Sequence, residues 1–253
     1  MNGNTHMGKE QFGSGATSGP RRGRSTSGDQ PSDLDRLLES AATLQTKVPE
    51  AVLVGGTAAA FHARHRLSVD HDHVIADLSR RFDAVLDALE REGQWITNRV
   101  TPGKIILGEL GGIETGLRQL IRTRDLEIEQ HSLPSGKILT VPTLEETLRI
   151  KAFLVVKRNQ VRDYLDVAAM SDHMGITLAA RILLQIDDYY TDPNKPNRPV
   201  ATQLAAQLSN PQPRDSRTTN QLRSYKGVRE PWTSWSTVVE VCQDIAAEMD
   251  EEG

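Results

Sequence analysis

"VGGTAAAFHARHRLSVDHDHV", residues 54–74, separates two adjacent glycines from a pair of aspartates by thirteen residues. The apolar run AVLV at 51–54, broken by Gly55-Gly56, is typical of a buried strand that ends in a tight turn. TAAAFHAR then predicts a helix, and SVDHDHV predicts a second strand. The stretch therefore indicates a strand, a turn, a helix and a second strand in close succession.

Asp70 and Asp72 lie on one side of that second strand, because successive side chains of a strand point to opposite faces. Their α-carbons are roughly 6.5 to 7 Å apart, and His71 and His73 face the other way. Two carboxylates within about 4 Å repel each other by roughly 4 kcal/mol at an effective dielectric near 20, and a divalent cation between them reverses that cost. The pattern predicts a site for Mg²⁺ or Mn²⁺, the hard ions that oxygen ligands favour.

The glycine turn is suited to binding phosphate. Backbone N–H groups at Gly55 and Gly56 approach an anion closely, and the N-terminus of the following helix adds a favourable dipole. The Thr57 hydroxyl is a further candidate donor. Mg²⁺ is usually held by one or two carboxylates together with substrate phosphates, so the stretch predicts phosphate beside a metal-binding carboxylate pair.

A third carboxylate is expected nearby, because two-metal phosphoryl chemistry usually needs a further ligand or base for the attacking hydroxyl. Glu114 is the candidate. It lies on a predicted strand after the Gly111-Gly112 turn, and Arg118 and Arg122 follow it with charges suited to phosphate. The alternative interpretation is that Glu114 lies on the solvent face of a hairpin.

Composition limits the class of protein. The chain has 253 residues, a net charge of −4 and a single cysteine, Cys242. This length accommodates one large domain or two small ones, and the charge does not predict a nucleic-acid surface over the whole molecule. One thiol forms neither an intramolecular disulfide nor a zinc knuckle. Since no apolar run approaches the roughly 20 residues of a membrane span, we expect a cytoplasmic protein with no membrane partner.

Three regions are predicted along the chain. Residues 1–31 are rich in Gly, Ser, Thr and Asn and predict a disordered tail. Residues 32–142 alternate helices and strands and predict an α/β domain. Residues 143–253 predict a helical domain that begins with a Thr-x-x-Glu capping box at Thr143. The predicted fold class is α+β, with a mixed β-sheet flanked by helices and followed by a C-terminal helical bundle.

Periodicity and turn residues place the individual elements. Helices are expected at 32–48, 57–64, 78–93, 143–158, 161–173, 176–190, 200–208 and 235–249. Strands are expected at 51–54, 68–74, 104–110, 111–121, 125–130 and 137–142. The helices of the last region are separated by breaks rich in proline and asparagine.

The combination of Gly-Gly, a spacer of about a dozen residues, Asp-x-Asp and a later acidic residue on a strand resembles the polymerase-beta-like nucleotidyltransferase superfamily. More narrowly, the run from VLVGG through RDYLD is similar to the AbiEii-type nucleotidyltransferase toxins, the toxin half of AbiE and MenAT toxin–antitoxin pairs. The similarity covers roughly residues 50 to 170, and it implies the minimal nucleotidyltransferase fold. His71 and His73 depart from the superfamily, which prefers apolar residues there.

The resemblance extends to the helical region. In the family a helix after the sheet carries a lysine, and an Arg-Asp-x-x-Asp-like segment contributes a further acid. Lys151 occupies the first position, and Asp163 and Asp166 both occupy the second, so the functional aspartate is not decided. Spacing alone puts Lys151 and Arg158 on one helix face and the two aspartates on another, for which a solvated ion-pair network is the favoured interpretation. With the resemblance, Lys151 and Arg158 bind the triphosphate and Arg162 orients one of the acids.

Residues and resemblance together predict a metal-dependent nucleotidyltransferase, which moves a nucleoside monophosphate from an NTP onto a hydroxyl and releases pyrophosphate. In this hypothesis Asp70 and Asp72 hold two Mg²⁺ ions, with Glu114 as a further ligand or as the base for the acceptor hydroxyl. The glycine turn binds the β- and γ-phosphates. The resemblance alone implies a toxin that modifies the 3′ end of tRNA in a toxin–antitoxin or phage-defence system, with a neighbouring antitoxin protein as inhibitor.

Three other classes of protein stay open. A small-molecule nucleotidyltransferase of the antibiotic-resistance kind has the same catalytic residues and a different acceptor pocket. A His/Asp metal phosphohydrolase is suggested by the histidines around the aspartates, which lie at positions 62, 65, 71 and 73, although strand alternation opposes it. A non-catalytic nucleotide-binding protein keeps only the fold. No motif specifies the nucleotide, the acceptor or the oligomeric state.

Overall fold

A computed structural model describes residues 32–91, 93–122, 124–224 and 227–253. The predicted tail, residues 1–31, lies outside the described residues. The helices are α1 (Asp33–Lys47), α2 (Gly55–Ala63), α3 (Leu78–Glu90), α4 (Leu144–Arg158), α5 (Val161–Met174), α6 (Ile176–Leu184), α7 (Val200–Ser209) and α8 (Trp235–Glu252). The strands are β1 (Val52–Val54), β2 (His71–Ile75), β3 (Trp95–Thr101), β4 (Ile105–Leu110), β5 (Ile113–Gln119), β6 (Ile128–Ser132) and β7 (Ile138–Pro142).

Five of the strands form one mixed sheet, in the order β1-β2-β5-β4-β3. β2 and β5 run parallel, and the other neighbours in this sheet run antiparallel. β6 and β7 form a separate antiparallel hairpin. The predicted α+β class, a mixed sheet flanked by helices and followed by a helical C-terminal region, is confirmed.

Helix α1 begins at Asp33, within one residue of the expected start, and Ser32 is its N-cap. The backbone N–H of Asp35 donates to Ser32 Oγ, and the Asp35 carboxylate accepts from the Ser32 N–H, so that both partners of a capping box are present. Apolar residues of α1 pack with Leu53 of β1 and with Leu139 and Val141 of β7. The hairpin and the edge strand β1 are therefore covered by the same helix.

The C-terminal helices enclose a second core. Tyr164, Leu165 and Met170 of α5 are fully buried there, together with side chains of the helices around them. Helix α2, which follows the glycine turn, packs against both α4 and α5. The sheet and the C-terminal helices therefore meet beside the turn, while the domain boundary near residue 142 stays a prediction.

Strand β3 and the end of α6 differ from the sequence prediction. Strand β3 has no strong periodic signal, because along this edge strand only Trp95 is buried. The helix predicted over 176–190 ends at Leu184, and a 3₁₀ turn follows at Ile186–Asp188. Asp187 accepts there from the N–H groups of Val200 and Ala201 at the start of α7, which favours the turn over a longer helix.

The histidines of β2 occupy its buried face, as strand alternation predicts. His71 and His73 are fully buried, and the His71 Nε2 lies 3.0 Å from Ser40 Oγ of α1. Neither ring nitrogen of His73 has a hydrogen-bond partner among the described residues. Burial lowers the pKa of His71 to about 4 and that of His73 well below its usual value. Both rings are therefore neutral at neutral pH and take the place of apolar side chains.

We expect the free energy of unfolding to fall as the pH decreases from about 6.5 toward about 4. The folded pKa values of His71 and His73 are both lowered, so the unfolded chain takes up these protons at a higher pH than the folded chain, and stability that is present above pH 6.5 is lost in that window. Urea unfolding at several pH values measures the slope. His73→Leu should reduce it, whereas the exposed control His173→Leu should not; equal slopes in the two variants would contradict the assignment.

Candidate active site

A cleft of about 560 Å³ lies where strands of the sheet face helix α4. Charged side chains dominate its polar lining. Three of them are carboxylates, from Asp70, Asp72 and Glu114. Six are cations, from Arg66, Arg99, Arg118, Lys151, Arg158 and Arg162. Asp166, which lies behind the cleft, pairs with Arg66 and Lys151 and offsets part of this charge, and the cations that remain in excess suit an anion.

Asp70 and Asp72 both line this cleft, on the side of β2 opposite the buried histidines. Asp70 directly precedes β2, where the Ser68 hydroxyl donates to its Oδ1 at 2.9 Å. Asp72 lies within β2, and its Oδ1 is 3.6 Å from Arg118 Nε. The prediction that the two carboxylates face the same way is confirmed, and each is oriented by a neighbouring polar side chain.

Two glycines flank the Asp72 carboxylate. Gly116 is paired with Asp72 across the parallel strands, and a Cβ there would lie 2.4 Å from Asp72 Oδ1. Gly55 has a φ of +78°, and a Cβ there would meet Asp72 Oδ2 at 3.5 Å. Glycine within a strand often marks such a close approach, and at position 116 this signal was available in the sequence.

The glycine turn leads directly into helix α2, which begins at Gly55 with no side-chain cap on its first N–H groups. Both glycines line the cleft. The Thr57 side chain is buried instead, and its hydroxyl donates to the carbonyl oxygen of Asp70 at 2.5 Å. Thr57 is therefore placed to fix the backbone of Asp70, and the N-terminus of α2 is left to receive an anion.

Glu114 lies on β5 at the same cleft and is exposed. Within the described residues, no three His, Cys, Asp or Glu side chains lie close enough together to hold a metal ion. The structure therefore brings Glu114 into the cleft without gathering its carboxyl group into a three-ligand set with Asp70 and Asp72. Of the two arginines expected beside it, Arg118 lines the cleft, whereas Arg122 is buried in an ion pair with Glu146 at 2.6 Å.

The carboxylate pair fits a hard divalent cation. Asp70 and Asp72 present oxygen ligands on one face of a strand at a cleft wall, and Mg²⁺ commonly takes one or two protein carboxylates and completes its octahedral shell with water and phosphate oxygens. The histidine nitrogens of β2, which would favour zinc or iron, face away from this pair.

Lys151 reaches the cleft from α4 and is anchored behind it by Asp166 of α5. The Nζ of Lys151 lies 2.7 Å from Asp166 Oδ2. Arg66 donates to the same carboxylate from Nε at 2.7 Å and from Nη2 at 3.0 Å, and His65 Nε2 lies 2.7 Å from Oδ1. Burial acts to raise the pKa of Asp166, but the Arg66 and Lys151 charges outweigh it and hold that pKa well below its usual value. Asp166 is therefore an ionised anchor for two cations.

Asp163 has a different environment. Its side chain is fully buried and does not line the cleft, and neither carboxylate oxygen has a hydrogen-bond partner among the described residues. Burial raises its pKa, against the opposing charges of Lys151, Arg158 and Arg162. The two aspartates of RDYLD, which the sequence leaves equivalent, are thus distinguished by their contacts: Asp166 holds the cleft lysine, and Asp163 does not.

Several lining residues are absent from the sequence prediction. Arg66 and Arg99 contribute charge, and a Cβ on Gly56 would lie 2.5 Å from Arg66 Nη2. The second glycine of the turn therefore makes room for a guanidinium as well as for a ligand. The cleft also has apolar lining residues, which come from the sheet and from α4: Val54, Val74, Leu107, Ile150 and Leu154.

Known proteins resemble the chain in both sequence and fold. A family model described as "Nucleotidyl transferase AbiEii toxin, Type IV TA system" matches residues 36–240. Among solved structures, MenT4, a nucleotidyltransferase toxin from Mycobacterium tuberculosis H37Rv, is similar with a TM-score of 0.55 and 15% identity, over 86% of this chain and 83% of that one. This likeness supports the fold assignment.

Curated relatives named MmpL11 match part of the chain, and two of them illustrate the likeness. The mycolic acid-containing lipids exporter of Mycolicibacterium smegmatis is 28% identical over 89% of this chain and 22% of its own length. The heme uptake protein of Mycobacterium tuberculosis H37Rv is 31% identical over 71% of this chain and 17% of its own length. The chain thus spans about a fifth of these relatives. In the described residues no single helix is long and apolar enough to cross a membrane, and the pair α5 and α6, bent by 120°, meets the length and composition criteria only together.

Proposed function

The chain belongs to the AbiEii nucleotidyltransferase toxin family, and on that premise we propose that this nucleotidyltransferase uses a divalent metal ion to transfer a nucleoside monophosphate from an NTP to the 3′ end of a tRNA. The observation that carries the proposal is the cleft in which Asp70 and Asp72 stand among six cations, beside the uncapped N-terminus of α2. This arrangement suits a metal-bound triphosphate.

Asp70 and Asp72 are the proposed ligands of Mg²⁺ or Mn²⁺. When bound, the metal ion supplies charge stabilisation at the transferring phosphoryl group and at the departing pyrophosphate. The chain's own residues fix the ligands: Ser68 and Thr57 hold Asp70, and the flanking glycines leave room for the Asp72 carboxylate. Their fixed positions reduce the reorganisation that the reaction requires.

The remaining groups of the cleft match the parts of an NTP. The N–H groups of the Gly55-Gly56 turn suit the β- and γ-phosphates, with Lys151 and Arg158 as the charges facing them. The apolar lining residues provide surface on which a nucleobase packs. Arg118, beside Asp72, is placed to neutralise phosphate charge close to the metal ligands.

The reaction joins the acceptor hydroxyl oxygen to the α-phosphorus and breaks the bond from that phosphorus to the β-bridging oxygen, which leaves with pyrophosphate. The proton of the hydroxyl passes to a base. We assign this role to Glu114, because its carboxyl is exposed at the cleft and outside any three-ligand group.

Glu114→Gln tests that assignment. We expect kcat to fall about 10²-fold, the lower range for loss of a general base, with little change in the Mg²⁺ concentration required for half-maximal rate. Steady-state rates over a Mg²⁺ titration measure both quantities. A large increase in the Mg²⁺ requirement would instead identify Glu114 as a third metal ligand that turns toward Asp70 and Asp72 when substrates bind.

The tRNA acceptor and the antitoxin partner rest on the family relationship, whose description names a type IV toxin–antitoxin system. NTPs and tRNA meet in the cytoplasm, which is the proposed place of action. A small-molecule nucleotidyltransferase remains the second candidate, since the metal and triphosphate groups of the cleft serve either acceptor.

Incubation of the purified chain with each α-³²P-labelled NTP, Mg²⁺ and total tRNA tests the function. We expect label on the 3′ end of tRNA and release of pyrophosphate. Label on an added aminoglycoside and none on tRNA would establish the second candidate. Release of inorganic phosphate or of a nucleoside monophosphate, with no transfer product, would favour a hydrolase and overturn the proposal.

A further inference from the structure

The segment between α2 and β2 contacts both Asp70, a proposed metal ligand, and Asp166, which anchors Lys151. At its end, Ser68 donates to the metal-site carboxylate of Asp70. At its start, His65 and Arg66 bind Asp166, which anchors the cleft lysine. All four side chains are buried; Arg66 and Lys151 also line the cleft, whereas His65 and Asp166 lie behind it.

Among the described residues, the side chain of His65 makes one hydrogen bond, to Asp166. Its Nε2 lies 2.7 Å from Asp166 Oδ1, and its Nδ1 has no hydrogen-bond partner among the described residues. Burial lowers the pKa of His65, against the raising effect of Asp166, so the ring is neutral at neutral pH. Since a carboxylate only accepts, the Nε2–H donates. His65 therefore directs Asp166 without adding a third positive charge to its two cations.

We propose that His65 is a positioning residue for nucleotidyl transfer, which orients the Asp166 carboxylate so that Lys151 and Arg66 are held toward the NTP phosphates. The inference rests on the proposed function of this cleft. An aspartate carboxyl rotates broadly about its last torsion. Arg66 and Lys151 bind its oxygens from the cleft side, and His65 adds a further donor to Oδ1 from behind the cleft. The ammonium of a lysine sits on a flexible stem, so its location depends on the oxygen that it binds.

Loss of this orientation should act on catalysis more than on folding. A displacement of about 1 Å in a catalytic group lowers rates by about 10²-fold. For His65→Leu we therefore expect kcat/KM for the NTP to decrease about 10²-fold while the circular dichroism spectrum is retained. His65→Gln retains an amide N–H near the position of Nε2, so it should recover most of the activity. His65→Asn has a shorter side chain that does not reach Asp166, so it should resemble the leucine variant.

His62→Leu is the matched control. His62 is on α2, three residues from His65, and its Nε2 lies 2.9 Å from the carbonyl oxygen of Pro142. The substitution removes an imidazole and its hydrogen bond without touching Asp166, and it should leave kcat/KM unchanged. Equal losses in the His62 and His65 leucine variants would show a general effect of packing and overturn the proposal.

A second measurement does not depend on turnover. The Nζ resonance of Lys151, assigned by its loss in Lys151→Arg, reports the ammonium position in ¹⁵N NMR spectra. Titration with an α,β-methylene NTP analogue reports binding. We expect His65→Leu and His65→Asn to shift or broaden this resonance and to weaken analogue binding, and His65→Gln to preserve both.

An unchanged resonance and unchanged binding in His65→Leu would overturn the inference, even if the wild-type enzyme transfers nucleotides. Conversely, a wild-type chain that transfers no nucleotide refutes the proposed function, while the NMR titration still decides whether His65 positions Lys151. If His65→Leu fails to fold, the comparison between the glutamine and asparagine variants decides, because these differ by one methylene and retain the same amide. Equal behaviour of those two variants would contradict the proposed role.

Discussion

Asp72→Asn is expected to lower the rate of nucleotidyl transfer by about 10³-fold or more. The carboxylate lies in β2 at the cleft wall, between glycines at positions 55 and 116, where any side chain would crowd it. The amide that replaces it has nearly the same shape and one oxygen, and it carries no charge to hold a divalent cation. Several kcal/mol of transition-state stabilisation depend on that ion, which corresponds to the stated change in rate.

The measurement is transfer of labelled nucleotide to acceptor over a range of Mg²⁺ concentrations. Asp83→Asn is the matched control, since it makes the same chemical change at an exposed position of α3 outside the cleft lining. Thermal unfolding of the two variants should coincide with that of the wild type within a few degrees. Transfer by Asp72→Asn at more than a tenth of the wild-type rate would refute the metal-ligand assignment.

The geometry around Asp70 and Asp72 could be predicted from sequence because it depends on local rules. Alternation along β2 separates aspartates from histidines, and the Ser32 cap sets the start of α1; each depends on residues only one to three positions apart. Strand β3 gave no comparable signal, because an edge strand with one buried residue lacks a repeating pattern.

Contacts between distant parts of the chain could not be predicted in this way. Arg66 meets Asp166 across 100 positions, and the sequence between them contains nothing that pairs one arginine with one of two neighbouring aspartates. Thr57 illustrates the same limit at short range: its hydroxyl was a plausible phosphate donor, but the fold of the turn directs it to the carbonyl of Asp70. Residue type indicates the available chemistry, and tertiary packing selects the partner.

Asp166→Asn is expected to destabilise the fold by about 3 to 5 kcal/mol, the usual cost of removing one partner of a buried ion pair. Asp166 is fully buried and binds Lys151 and Arg66, whose side chains are themselves nearly inaccessible to solvent. Without the Asp166 carboxylate, Lys151 and Arg66 remain buried, and no other anion of the described residues takes the place of that carboxylate. The loss should therefore come from the charges left behind more than from the hydrogen bonds removed.

A second substitution separates these two causes. In Asp166→Asn combined with Lys151→Met, one of the stranded cations is replaced by an apolar side chain of similar length, so the double variant should be more stable than Asp166→Asn alone. Urea unfolding at pH 7 measures the stability of both variants.

Asp163→Asn is the matched control on the same helix, because its carboxyl is equally buried but has no hydrogen-bond partner in the described part of the chain. Since burial raises the pKa of Asp163, its replacement by a neutral amide should cost much less. If Asp163→Asn proved as destabilising as Asp166→Asn, or if the double variant were no more stable than the single one, the anchoring of Lys151 by Asp166 would not be the dominant interaction at this junction.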